Sequence, residues 1–438
     1  MMTTVRRLSF CLLTALLILP AYAQSGEATR PASEDERNPA DSADAWDYSA
    51  WKREDRFKRP AIGPGVLWDG TDSGALFGTY PNRWPYAETA LYRNTPAIRY
   101  NRAEGFVLGI GSGPLDWDSD RRFKIVGQAG YAFALKRWRY EVGGEVRPLQ
   151  GSGSDRLKLG ASYRYNTVTE DLWKSNWIEN TLAALLFHSD FFDYYQVRGW
   201  SAYAVGRLSR TLQLSAAFRS EEHGSLERNT DWSLFGGDFR SNPPADEGRV
   251  QSFLFAVEGG RVRSLNYLPI GAVLRAEAEV APGLGSDFTF GRYVADGRLY
   301  LPVSAYSSLG LRLRGGLLAG DDAPFQKGFT IGGVGTVLGY PTNAFYGTRM
   351  LLGNAEYMIA TPDLFGRFFQ DLQFFGTANA GWVGTPGDQA FNVDELLPSL
   401  GIGLGLDERN LRFELAFPLR DVGHGYAPSL WFRLSPTF

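Results

Sequence analysis

The chain of 438 residues has one cysteine and three histidines. Cys11 sits inside an apolar leader, several residues ahead of the expected cleavage point, so a lipidated N-terminal cysteine is not indicated. Beyond the leader there is no thiol, which excludes disulfides, thiolate metal ligation and a cysteine nucleophile. The histidines are His188, His223 and His424. His188-Ser189-Asp190 has the residue types of a hydrolytic triad, but three adjacent residues cannot converge as the roles require. It reads as a solvated loop. No Gly-x-Ser-x-Gly elbow and no His-Glu-x-x-His helix occurs. The acidic stretches Asp116-Trp117-Asp118-Ser119-Asp120 and Asp321-Asp322 read as loop tips rather than calcium sites. No cofactor, metal or catalytic residue is expected, and an outer-rim hydrolase is the least favoured class.

Long apolar runs are missing too. After the leader nothing approaches the ~20 apolar residues of a transmembrane helix. A basic tail is likewise absent, and the formal charge is −3, so nucleic-acid binding has little support. The leader itself is well marked. Arg6 and Arg7 precede the apolar run Leu8 to Leu19, Pro20 ends it, and Ala21-Tyr22-Ala23 offers a cleavage site after Ala23. This is a secretory signal peptide. Residues 24–66 are polar and rich in Pro, Ala, Asp and Glu, the composition of a disordered periplasmic arm. Residues 67–98 mix Gly, Pro, Trp and Tyr without a period and form a lead-in or plug segment.

From about residue 99 the dominant signal has period two. In Arg137–Arg147, Trp138, Tyr140, Val142, Gly144 and Val146 share one face, and Arg139, Glu141, Glu145 and Arg147 share the other. The pattern recurs with Lys158 and Arg164, with Arg275, Glu277 and Glu279, with Arg312 and Arg314, and with Arg412 and Glu414. The C-terminus sets Leu430, Phe432 and Leu434 opposite Ser429, Trp431 and Arg433, and stops on Phe438. Alternation also suits a soluble sandwich. Many such strands of ~10 residues, after a signal peptide and before a terminal aromatic, instead indicate an all-β transmembrane antiparallel barrel over 99–438. About fifteen strands can be marked. A bacterial single-chain barrel prefers an even count, so about sixteen are expected, the missing one near Asp231 to Phe235. Its charges would line the lumen, as an ion-pair network or a solute path. A short helix is expected over Glu179 to Phe187. Gly109 to Gly113 and Gly401 to Gly405 read as small residues in a barrel wall rather than as phosphate loops.

One stretch is more specific. Phe325 to Tyr357 contains Gly332-Gly333-Val334-Gly335, then Leu338-Gly339-Tyr340, then Gly353-Asn354-Ala355-Glu356-Tyr357. It resembles the BamA/TamA superfamily of outer-membrane barrels, the bacterial surface antigens. Arg99 to Gly105 resembles that family's entry into its first strand. The resemblance implies an in-folded glycine-rich extracellular loop and five strands after it, here about 350–360, 370–383, 397–407, 410–419 and 428–438. Where the family's loop carries an Arg before the Gly-aromatic pair, this chain has Leu338. Where the family has Asp-x-Gly on a later strand, it has Asn379-Ala380-Gly381. Losing both partners together leaves no buried charge alone, and the loop is expected to tuck in on Tyr340, its glycines and Asn379. Residues 24–96 lack the paired amphipathic helices of a POTRA domain, which weakens an insertase reading.

The expectation is a non-enzymatic outer-membrane barrel acting as a pore or gated barrel. The alternative is an assembly or secretion factor with a separate periplasmic partner. Expected partners are outer-membrane lipid and lipopolysaccharide, and the barrel assembly machinery, which would read Phe432, Leu434 and Phe438 during biogenesis.

Overall fold

The structure is a computed structural model that describes residues 96–112, 122–148, 157–209, 211–265, 268–361, 372–385, 391–406, 411–423 and 427–434. The expected signal peptide, the expected arm over 24–66, most of the expected lead-in, Asp116 to Asp120, His424 and Phe438 lie outside the described residues.

The strands, in chain order, are β1 (Arg99–Asn101), β2 (Gly105–Ser112), β3 (Phe123–Ala132), β4 (Arg137–Val146), β5 (Leu157–Val168), β6 (Tyr195–Ser209), β7 (Leu212–Gly224), β8 (Gly248–Leu265) and β9 (Leu268–Pro282). They continue with β10 (Thr289–Ser304), β11 (Ser307–Ala319), β12 (Phe329–Ile331), β13 (Phe345–Gly347), β14 (Arg349–Ala360), β15 (Gln373–Gly384), β16 (Leu397–Leu406), β17 (Leu411–Pro418) and β18 (Ser429–Leu434). One helix, α1 (Trp177–Phe187), lies between β5 and β6. Sixteen strands make one antiparallel sheet in chain order, interrupted only by the two-stranded hairpin of β12 and β13. The sixteenth strand is not at Asp231 to Phe235, which lies in the connection 225–247; it is β1, three residues long. A three-residue strand is too short to show an alternating pattern. The five strands expected after the glycine-rich loop are β14 to β18.

The alternation follows from the two environments of the wall. Outward residues are apolar: Ile110 is 82% exposed, Leu313 62% and Ile402 61%. Tyr131, Phe133 and Trp138 cluster where β3 turns into β4, with T-shaped ring contacts at 5.2 and 5.5 Å, as an interfacial aromatic girdle would. Inward residues carry the charge. Because neighbours are antiparallel, connections fall alternately on two rims. Segments 169–194, 225–247, 320–348 and 385–396 form a long-loop rim, and pairs such as 305–306 form a short-turn rim.

The inner face of β16 is lined by Gly401, Gly403 and Gly405. A Cβ at Gly401 would meet Thr377 Oγ1 at 2.4 Å and Glu414 Oε1 at 2.6 Å; one at Gly403 would meet the Phe375 ring at 2.4 Å. The missing side chains let Thr377 donate to Glu414 at 2.6 Å across the strand between them.

The two end strands, β1 and β18, are not hydrogen-bonded to each other among the described residues. The sheet nevertheless curls far enough for both to touch α1. The α1 N-cap is Asn176, whose side chain accepts from Glu179 N at 2.8 Å. His188 ends the helix in the left-handed region, φ 49°.

The outer belt gives a direct test. Replacing outward Leu313 by Arg should cost about 2–4 kcal/mol if the residue sits at mid-bilayer. Denaturant unfolding of the barrel in liposomes would measure this, and Leu313→Ile should cost far less.

Candidate functional site

The charges that alternation assigned to the lumen point inward. Arg139, Glu145, Arg147, Lys158, Arg164, Arg275, Glu279, Arg312, Arg314, Arg412, Glu414 and Arg433 are buried, and Glu141 and Glu277 are half-buried. They pair across the wall. Arg164 meets Glu221 at 2.9 Å, Arg412 meets Glu356 at 2.9 Å, and Arg275 pairs with Glu277. Tyr203 OH donates to Glu145 at 2.7 Å and Ser162 Oγ to Glu141 at 2.8 Å. On β10 and β11 one carboxylate serves three guanidinium groups: Asp296 lies 3.3 Å from Arg298, 2.7 Å from Arg312 and 2.9 Å from Arg314. Asp296 and Arg298 went unnoticed in the sequence, although Arg292, Asp296 and Arg298 stand at even spacing and were legible there.

Inside this wall lies a plug built from the glycine-rich loop. Val334, Val337, Leu338 and Tyr340 are all buried. Val334 and Leu338 share an apolar cluster with Ala103, Trp177, Phe191, Phe192, Ala416 and Trp431. Val337 and Tyr340 share another with Phe290, Leu318, Met350 and Leu397. The loop thus packs against walls from β10 round to β18. Tyr340 OH donates to Pro398 O at 2.7 Å and accepts from Arg420 N at 3.2 Å. Gly332, Gly333, Gly335 and Gly339 all have positive φ. At Gly335 (φ 73°) a Cβ would also stand 2.3 Å from Lys174 O, so only glycine fits. Asn379 does not hold the loop directly. It accepts from Asn354 Nδ2 at 2.7 Å, and it is Asn354 that donates to Thr336 O at 2.9 Å.

The plug is clamped by a chain of polar residues that have no periodicity and that sequence reasoning missed. Lys174 Nζ donates to Thr330 Oγ1 at 2.6 Å and to Asn343 Oδ1 at 2.7 Å, and pairs with Asp171 at 2.7 Å. Asn343, in the left-handed region at φ 54°, donates to Asp193 Oδ2 at 2.8 Å, to Asp171 Oδ2 at 3.1 Å and to Phe191 O at 3.3 Å. Asp193 in turn meets Arg102 at 2.9 Å and Arg240 at 2.6 Å. Arg102 also donates to Phe192 O at 2.6 Å and Asn242 Oδ1 at 3.1 Å. The β1–β2 turn and the connections 169–194, 225–247 and 320–348 are therefore joined through one buried network. Burial works to raise the Asp193 carboxyl, but Arg240, Arg102 and Lys174 outweigh it and hold it below the usual carboxylate range. Burial lowers the Lys174 ammonium, against the opposing pull of Asp171.

The triad residue types do not converge. Ser189 Oγ donates to Phe187 O, His188 Nδ1 lies 2.6 Å from Gly236 O, and Asp190 accepts from Tyr194 OH at 2.7 Å. Asp321 and Asp322 stand exposed on the rim.

A family model, a family of unknown function (DUF5686) C-terminal domain, matches residues 75–258. No curated protein sequence matches the chain. Among solved structures, BamA from Haemophilus ducreyi lacking POTRA domains 1–3 superposes with a TM-score of 0.50 at 13% identity, over 76% of this chain and 68% of that one. The fold is that of an outer-membrane β-barrel. CdiB from Acinetobacter baumannii aligns at 13% identity over 76% of this chain and 57% of its own length, with a TM-score of 0.42, too low to bear on the comparison.

Two outcomes test the clamp of this β-barrel. Asn343→Ala removes one hydrogen-bond partner from each of buried Asp171, Asp193 and Lys174, whose ion pairs remain, and should cost about 1–3 kcal/mol, read by denaturant unfolding in micelles, whereas exposed Asp322→Ala should be neutral. Asp193, held low in the fold, stabilises fully above its ordinary pKa, about 4, and loses that contribution as pH falls through the lower folded value. Proteolysis of the connection 320–348 should therefore speed up on acidification below about pH 4 and stay flat between neutral and mildly acidic pH.

Proposed function

We propose that this protein is a non-enzymatic outer-membrane β-barrel whose lumen is kept shut by its own loop, a gated barrel of the BamA/TamA type rather than a constantly open pore. The tucked loop carries this reading. Its apolar side chains pack against walls from β10 to β18, Asn354 donates to its Thr336 O at 2.9 Å and Arg312 to its Gly335 O at 3.3 Å, and its own Tyr340 OH donates to Pro398 O. A loop that merely covered the mouth would keep its aliphatic residues at the rim, where burying them gains little. The apolar outer belt, the even strand count and the sequence leader support insertion in the outer membrane, with the long-loop rim facing outward.

The assembly or secretion reading is favoured by a different observation. A sheet whose end strands share no ladder among the described residues has a seam, and a three-residue β1 makes that seam weak. The discriminator between the two is whether deleting the protein lowers the levels of other outer-membrane barrels or only the uptake of solutes.

Conductance tests the gated-barrel reading. The purified chain in planar bilayers should be silent or flicker rarely. A variant with Val334 to Leu338 replaced by a short Gly-Ser link should give large, steady steps. Steady steps from the unaltered protein would overturn the plugged lumen.

A further inference from the structure

Among the described residues, the edges of the sheet end on a helix rather than on each other. Leu434, the last described residue of β18, offers both backbone groups to α1 and its cap: its N–H donates to Glu179 Oε1 at 2.9 Å and its C=O accepts from Asn176 Nδ2 at 2.8 Å. Its neighbour Arg433 adds an ion pair to Glu179 at 2.7 Å, both side chains buried. At the other edge, Tyr100 N of β1 donates to Thr181 Oγ1 at 3.3 Å. Three backbone groups at the sheet's two ends are therefore satisfied by side chains of one segment, 176–181, and ladder bonds are replaced by side-chain bonds. The far end of α1 is fixed as well, because Leu234 N and Phe235 N donate to Leu185 O and Leu186 O at 2.9 and 3.1 Å.

The same segment begins with the plug's clamp. Lys174, which holds Thr330 and Asn343, lies five residues before Glu179. Arg433 Nη2 also reaches Lys174 O at 3.4 Å, and Ser175 Oγ donates to Glu179 Oε2. The backbone of Gly335, at the centre of the plug, lies directly against Lys174. Movement of 174–176 thus disturbs the plug on one side and the seam on the other.

We infer that the segment 174–181 is a single latch that holds the barrel seam and the lumen plug shut together, so that neither opens without the other. Coupling of this kind is reciprocal: opening the plug destabilises the seam by as much as opening the seam destabilises the plug. It concerns the closed state alone and holds whether or not the lumen ever conducts.

Hydrogen exchange on the full chain in nanodiscs tests it, read on peptides covering 99–104, 332–340 and 429–434, with the β8–β10 wall as internal reference. In Glu179→Ala, exchange at 429–434 and at 332–340 should both rise at least tenfold, with the reference unchanged. Glu179→Gln keeps an acceptor for Leu434 N and should restore much of the protection. Thr181→Val, similar in shape but without the acceptor, should act first on 99–104, and it guards against a Glu179 variant that fails to fold. From the other side, Asn343→Ala should raise exchange at 429–434. A seam peptide that exchanges at the unaltered rate in both Glu179→Ala and Thr181→Val would overturn the latch. So would a released seam over a fully protected plug.

Discussion

The constraint on which the rest depends is that charge inside the barrel must find charge. The wall places arginines and lysines facing inward on many strands, and each buried cation needs a partner to offset its lost hydration. Arg164 and Arg412 find theirs on other strands. Lys174 and Arg102 find theirs on loops, so the loops are drawn inward and fixed there. The buried chain from Lys174 through Asn343 and Asp193 to Arg102 is where that requirement becomes architecture. It ties three long connections and the β1–β2 turn into one body.

The plug follows from the same accounting. With Leu338 at the tip, the stretch from Gly332 to Tyr340 brings no charge into the lumen, and the buried cation of the same connection, Lys327, is paired with Glu279 and Glu170. The loop's entry is driven by apolar contact with Trp431, Ala416, Phe290 and Leu397, and its backbone is matched by the Asn354 amide and the Arg312 guanidinium. The amides Asn354 and Asn379 stand opposite each other on β14 and β15, and the first of them reaches the loop. A further cation, Lys174, is supplied from a neighbouring connection.

Much of the wall was legible in the sequence because a strand between lipid and lumen must alternate, and Arg139 to Arg147 or Leu411 to Leu419 state both faces outright. The strand order after the glycine-rich loop was legible for the same reason, as was α1, from the run ending at Phe187. The site was legible only in part. Gly335 and Tyr340 belong to a recognisable stretch, but Lys174, Asn343, Asp193 and Arg102 are single polar residues in irregular connections, related only by the fold. The misplaced strand at Asp231 to Phe235 has a similar origin. Trp232 and Leu234 alternate like a strand, but their neighbourhood is taken up by α1 and Tyr100, with Tyr100 OH donating to Trp232 O.

Closing the sheet through a helix also sets the order in which the molecule can form. Most ladders of the wall join strands that are neighbours in the chain, so they can zip along from either end. The closing contacts join Glu179 to Arg433 and Leu434, 254 and 255 positions further on. They exist only once β18 has been made and the connection between β5 and β6 has folded inward. Contacts of such long sequence separation carry the largest entropic cost and form late. The polypeptide is therefore an open, curling sheet for most of its assembly, and the contacts that bring β18 onto α1 come last, together with the infolding of the connection between β5 and β6.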